Sequence, residues 1–223
     1  MDWSPILISM RTASLSILVT FFLGIFAAWR VIRLKNEKLK LIWDGILTLP
    51  LVLPPTVAGF FLLYIFGVKR PVGKFFLDYF SVKIAFSWIA TVLAAVVMSF
   101  PLMYRSARGA FEQVDENLPA AARTLGMSEW CIFRKVLFAN ALPGIVSGGV
   151  LAFARGLGEF GATAMIAGNI AGKTRTLPMA VYSEVAAGNM DAAYRYVAVI
   201  VAIAFLSVIL MNWAGLRADR KKR

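Results

Sequence analysis

Apolar runs long enough to cross a bilayer recur along this chain, and polar, mostly basic segments separate them. A hydrocarbon core of ~30 Å needs about 20 helical residues. Residues 8–29, 45–67, 84–104, 136–154 and 196–216 meet that length. Their apolar residues are continuous rather than alternating, so helices are predicted and barrel strands are not. Two further apolar pieces, 160–170 and 176–187, are too short to span. They predict a helix extension and a short re-entrant or interfacial helix. The expected fold class is an all-α integral membrane protein, a single transmembrane domain over residues 1–223 with about five spans.

Composition supports this reading. Of the 223 residues 60% are hydrophobic and 16% charged, against roughly 45–50% and ~25% in soluble domains. A soluble globule of this size could not hide so much apolar surface. There is no histidine and one cysteine, Cys131. That excludes histidine metal sites, Ser-His-Asp triads, an intrachain disulfide and cysteine-cluster metal sites. A membrane-bound enzyme is disfavoured for the same reason. The net charge of +12 fits the positive-inside rule and lipid headgroups rather than nucleic acid.

Charge also sets the expected orientation. Arg30, Arg33, Lys35, Lys38 and Lys40 follow the first run. Arg105, Arg108, Arg123, Arg134 and Lys135 follow the third, and Arg217, Arg220, Lys221, Lys222 and Arg223 close the chain. The opposite side holds Arg11, Lys69, Arg70, Lys74, Lys83, Lys173, Arg175 and Arg195. Fifteen against eight places the N-terminus outside and the C-terminus in the cytoplasm. No signal peptide is expected, because Asp2 stands where a basic leader would begin.

Two glycine motifs resemble nucleotide sites. Gly156-Leu-Gly158-Glu-Phe-Gly161 fits G-x-G-x-x-G, but an apolar span precedes it instead of a strand. Ala167 to Thr174 nearly fits a P-loop, with Ala167 in place of the first glycine and again no strand. Close helix packing and a polar turn are the expected roles. No cofactor is expected to bind this chain.

The segment 109–135 reads as folded. Asp115, Glu116 and Asn117 precede Leu118-Pro119, a helix-start signature. Ala120, Ala121, Ala122, Arg123, Thr124 and Leu125 continue it, and Gly126 can supply a left-handed end. Ser128 is placed to cap a second short helix from Glu129 to about Phe133. Ala121, Ala122 and Leu125 fall on one face, suited to a partner's groove or to the membrane surface.

Ala120 to Gly126, followed by Val136-Leu-Phe-Ala-Asn-Ala-Leu-Pro143, resembles the E-A-A…G…L-P loop of ABC-importer permeases. Leu49 to Gly59, Ala85 to Trp88, Met98 to Met103, Leu151 to Ala162 and Gly168 to Pro178 are similar to molybdate permease subunits of that family. The resemblance implies a type I importer permease fold and ATP-driven uptake of molybdate or tungstate. It implies ATP and Mg²⁺ on two separate cytoplasmic ATPase subunits, a second copy of the chain, and an external binding protein. It implies a multi-pass protein of the bacterial inner membrane, in contact with lipid, and not itself an enzyme. Its coupling residues would be Pro119, Ala120, Ala121, Ala122, Arg123, Leu125, Gly126 and Ser128. The family glutamate falls at Pro119, so the charge it supplies is missing there; Glu116, one turn earlier, is the expected substitute.

Pro54, Pro55 and Thr56 in the second run mark a kink that either lines a pathway or only packs. Gly144 and Gly148, with Ser147, form a G-x-x-x-G face for packing inside the subunit or at a homodimer seam. Arg155 and Glu159 stand at i, i+4 and suggest a structural or gating pair rather than a substrate site. The alternatives are a permease for another oxyanion such as sulfate, or a stand-alone secondary transporter.

Overall fold

The computed structural model describes residues 2–220 and is helical throughout its regular elements. Lys221, Lys222 and Arg223 of the charge count lie outside the described residues. The helices are α1 (Ser4–Ile32), α2 (Glu37–Val52), α3 (Pro55–Phe66), α4 (Pro71–Phe80), α5 (Trp88–Glu112), α6 (Asn117–Thr124), α7 (Glu129–Ile132), α8 (Phe138–Leu157), α9 (Gly161–Ile166), α10 (Leu177–Ala186) and α11 (Met190–Arg220). A π-helical turn, Phe133–Leu137, joins α7 to α8. By length and apolarity four helices can cross a membrane, or five if α2 and α3 make one broken span.

Hydroxyl pairs fix the register of the bundle. Thr12 Oγ1 meets Thr91 Oγ1 at 2.9 Å, and Thr20 Oγ1 meets Ser99 Oγ at 3.2 Å. Both pairs are 79 residues apart, so α1 and α5 run parallel. Gly24 continues the seam, since a Cβ there would lie 2.7 Å from Met103 Cγ. Helix α8 runs the other way: Gly156 faces Ser16 and Ala95, Gly148 faces Ser106, and Gly144 faces Ala110. Helix α11 begins beside the start of α1, where Tyr196 Oη donates to the Asp2 carbonyl at 2.9 Å. Parallel neighbours force the intervening segment back across the bundle once. The chain therefore traverses it five times and finishes at the end opposite its start. We call the end where α1 begins the near end, and the other the far end.

That return crossing is where the structure departs from the sequence expectation. Residues 45–67 are not one helix: α2 and α3 meet at 109°. Pro54 and Pro55 have no N–H, so the carbonyls of Pro50 and Leu51 lose their helical donors. Leu53, before a proline, is extended at φ −68°, ψ 140°. Helix α2 leans on the far half of α5, and α3 packs on α9 and the near half of α5. Ala58, Leu62, Ala90, Ala94, Met98, Ala162 and Ile166 form one buried cluster there. A second core, including Ile25, Val31, Met103, Tyr104, Phe111, Phe133 and Ile145, fills the far half.

The 160–170 piece also differs from the expected extension of α8. The helix stops at Leu157, and α9 starts anew at Gly161. Helix α10 occupies the place of the predicted short helix. Helix α4, amphipathic and rich in phenylalanine, had no counterpart in the sequence reading.

Candidate functional site

The loop between α5 and α8 forms a helical knuckle at the far end. Asp115 Oδ1 accepts the Asn117 N–H at 2.9 Å, and α6 begins there. Pro119 fits the first turn, where a missing N–H breaks no helical bond. Helix α6 ends in a Schellman motif. Met127 N–H reaches the Ala122 carbonyl at 3.1 Å, Gly126 N–H reaches Arg123 at 2.9 Å, and Gly126 takes φ +74°. Ser128 Oγ then accepts from Cys131 N–H at 3.4 Å, capping α7. Pro119 and Ala122 are buried, whereas Ala120, Ala121, Arg123 and Ser128 are exposed. Leu125 is 81% exposed, an apolar side chain presented outward at the tip.

The knuckle is braced from behind. Phe133 lies 4.8 Å from Trp29, 5.4 Å from Trp130 and 5.9 Å from Phe111, ring centre to ring centre. Glu129 joins α7 to two other elements, with Arg123 Nε at 2.7 Å and Arg33 Nη2 at 3.5 Å. Arg123 holds the Glu129 carboxyl below the usual carboxylate range. These ion pairs are half exposed and weak singly, so the aromatic stack supplies most of the bracing. The π-turn lets Phe138 N–H reach the Phe133 carbonyl, five residues back. Such a wide turn interrupts the regular ladder just where the knuckle meets a long helix.

The candidate gate residues divide into two groups. Pro55 and Thr56 lie against Gly161 at the start of α9, two residues after Glu159. A Cβ on Gly161 would lie 2.9 Å from Pro55 Cβ. Glu159 is 2% exposed; it takes Arg155 Nη1 at 2.7 Å and the Ala162 N–H at 2.7 Å. One carboxylate thus ties the last turn of α8 to the first of α9. Ser147 is elsewhere, in a groove between α5 and α8. The structure places Gly144 and Gly148 against Ala110 and Ser106 of the same subunit, so the G-x-x-x-G face packs internally. Gly156 and Gly161 of the G-x-G-x-x-G match likewise serve close packing.

A network missed by the sequence reading holds α2 to α5 at the far end. Arg108 Nη1 pairs with Asp44, and its Nε pairs with Glu112 at 2.8 Å. Tyr104 Oη donates to Asp44 Oδ1 at 2.9 Å. Tyr104 and Asp44 are 60 residues apart, so no local spacing announced Asp44; only the Arg108–Glu112 pair, at i, i+4, has a local signal.

A five-pass bundle with a braced knuckle in the loop before its fourth crossing has the architecture of an ABC-importer permease. Known structures share it: the methionine transporter MetNI in inward-facing form aligns with a TM-score of 0.74 over 96% of this chain and 94% of that one, at 18% identity. A bacterial transporter importing the acidic polysaccharide alginate aligns at 0.73 over 99% and 79%, with 12% identity. The sequence gives the family directly. Residues 20–223 match the model for the binding-protein-dependent transport system inner membrane component, and the chain belongs to that family. It is 44% identical over 99% of its length to the molybdenum transport system permease protein ModB of Escherichia coli K12, covering 96% of that protein. It is 40% identical over 94% to a putative molybdenum transport permease, YvgM, of Bacillus subtilis, covering 92% of it. A probable sulfate transport permease, cysT, of Chlorokybus atmophyticus is 30% identical over 94% of this chain and 73% of that protein. The chain is a multi-pass membrane permease component.

Proposed function

We propose that this chain is the membrane-spanning subunit of an ATP-driven importer of molybdate, with tungstate as a second substrate. The observation that carries the reading is its similarity, from end to end, to permeases named for molybdenum transport. Sulfate is the second reading, supported by the relative at 30% identity; the gap to 44% favours molybdate. On this reading two copies enclose the path, and an external binding protein delivers the anion. Two cytoplasmic ATPases, which carry ATP and Mg²⁺, grip the knuckle at Ala121, Arg123 and Leu125. The far end is then cytoplasmic and the near end outside, as the excess of arginine and lysine at the far end supports.

Force must pass through the knuckle, because a partner shifts the permease only by interacting differently with its two states. The braced stack at Phe133 makes α6, α7 and the base of α8 move together. The test is uptake into vesicles. The permease with its ATPase and binding protein should concentrate molybdate when ATP is supplied; the permease alone should not. Gly126→Val should assemble yet lose substrate-stimulated ATP hydrolysis. At φ +74° a side chain costs about 1–2 kcal/mol, although a Cβ there meets nothing within 4 Å. Concentrative uptake by the permease alone, driven by an ion gradient, would overturn the importer reading.

A further inference from the structure

A cleft of about 550 Å³ opens at the near end, where the start of α1, the head of α5 and the loop between α9 and α10 meet. Arg11, Phe86, Ser87, Trp88 and Lys173 line it. The loop is fixed against α1. The N–H groups of Lys173, Thr174 and Arg175 reach the Ile170 carbonyl at 3.1, 2.9 and 3.1 Å, and the Leu177 N–H donates to Ser9 Oγ at 2.7 Å. Trp88 Nε1 donates to Thr12 Oγ1 at 3.0 Å, and Ser87 Oγ to the Ile84 carbonyl at 2.6 Å. Those two hydrogens are spent, so Arg11 and Lys173 are the side-chain donors left to the cleft.

The lining holds these two cations and no carboxylate. Among the described residues neither cation forms an ion pair. The acids of this end are engaged or lie on other elements. Glu159 takes Arg155, Glu184 accepts from Asn189, and Asp2 accepts from Ser4 and lies in the field of Arg175. Asp78 belongs to α4 and Asp191 to the first turn of α11. Lys83, three residues before Phe86, adds positive charge.

Depth identifies what such a cleft meets. Arg11 and Arg30 enclose an uncharged stretch of α1; at 1.5 Å per residue they stand about 28 Å apart, close to the ~30 Å hydrocarbon thickness. Arg11 therefore sits at the level of the headgroups, with Trp88 beside it in the position of an interfacial anchor. Below Arg11 on the same helix face run Leu15, Leu18 and Phe22, all exposed. From Arg11 to Phe22 is about 16 Å, the depth of one leaflet. We propose that this cleft is a binding site for an anionic phospholipid, its phosphate held between Arg11 and Lys173 and an acyl chain laid along Leu15, Leu18 and Phe22. Two uncompensated cations favour a lipid of net negative charge over a zwitterionic one, whose ammonium they repel. A free oxyanion shares the phosphate's chemistry but not its acyl chain, and the test separates the two.

Introduce Leu15→p-benzoylphenylalanine into the full chain. Reconstitute it in vesicles of equal phosphatidylglycerol and phosphatidylcholine with matched acyl chains, illuminate, and read the two captured lipids by mass spectrometry. Phosphatidylglycerol should be favoured roughly fivefold to tenfold. Arg11→Gln with Lys173→Gln should bring the ratio to about one without lowering capture of phosphatidylcholine, which a misfolded chain would lose. Arg11→Lys should keep most of the preference, and Lys69→Gln with Lys74→Gln, at the same end outside the cleft, should keep all of it. An even ratio with the native charges overturns the proposal. A preference that survives loss of both cleft cations, or is lost equally with Lys69 and Lys74, marks a general surface field and also overturns it. So does a joint fall of both lipids with their ratio intact. Displacement of phosphatidylglycerol by inorganic phosphate, beyond that by sodium chloride of equal ionic strength, assigns the cleft to a free oxyanion instead. Capture of a second copy of the chain in place of lipid assigns the stripe to a subunit contact.

Discussion

At the scale of single residues, Glu159 carries more than its ion pair. Nearly fully buried, it satisfies both Arg155 and the Ala162 N–H. Glu159→Ala strips both partners at once and should lower stability by about 2–4 kcal/mol, near the range for breaking a buried pair whose arginine is partly wetted. Glu159→Gln keeps an acceptor for Ala162 and should cost less than half of that. Thermal unfolding in detergent checks the ranking; equal losses would show that the backbone bond contributes nothing. The i, i+4 spacing made the Arg155 pair legible in the sequence. The bond to Ala162 was not, because it depends on α8 stopping at Leu157 and the chain turning back toward its own next helix.

Among the elements, α3 and α9 approach backbone to backbone. A Cβ at Gly59 would lie 2.7 Å from Ala162 Cα and 2.8 Å from the Ala162 carbonyl oxygen. Backbone cannot give way as a side chain does, so Gly59→Ala should destabilise by about 1–3 kcal/mol. Gly45→Ala, with nothing within 4 Å, should be neutral or slightly stabilising through helix propensity. Melting temperatures of the two variants, measured side by side, decide this. The sequence made the long helices α1, α5, α8 and α11 legible through their apolar length, and the end of α6 through Gly126. The kink at Pro54 and Pro55 was legible, but not that it turns the chain through 109°, because apolarity runs unbroken across residues 45–67 and length alone cannot report direction. The Pro54-Pro55 pair was the available signal. Helix α4 was hidden because its aromatics alternate with Lys74 and Asp78 too closely to read as a span.

For the whole molecule, charge is distributed by end. At the near end Arg70 lies 4.1 Å from the Tyr64 ring centre, and Arg175 Nε donates to Asn169 at 2.8 Å. Lys69, Lys74 and Lys173 are exposed, and their field favours an approaching anion or an acidic rim on a binding protein. Reversing these three to glutamate should weaken docking of the binding protein, and the loss should shrink as salt rises. Association rates across ionic strength measure this, and a salt-independent rate in wild type would exclude steering by these lysines.

The parallel register of α1 and α5 has a consequence for the order of biosynthesis. Thr12 and Thr20 leave the ribosome long before Thr91 and Ser99 exist, and three helices that belong elsewhere, α2, α3 and α4, emerge in between. Until α5 arrives, the hydroxyls of α1 have only their own backbone to bond, as Ser16 still does with the Ala13 carbonyl at 3.0 Å. Helix α1 should therefore enter the lipid as a solitary rod, and the first lasting side-to-side contact should form only once α5 has been threaded. A nascent chain halted before residue 91 should leave α1 free to exchange with solvent and lipid, and one halted after residue 112 should not.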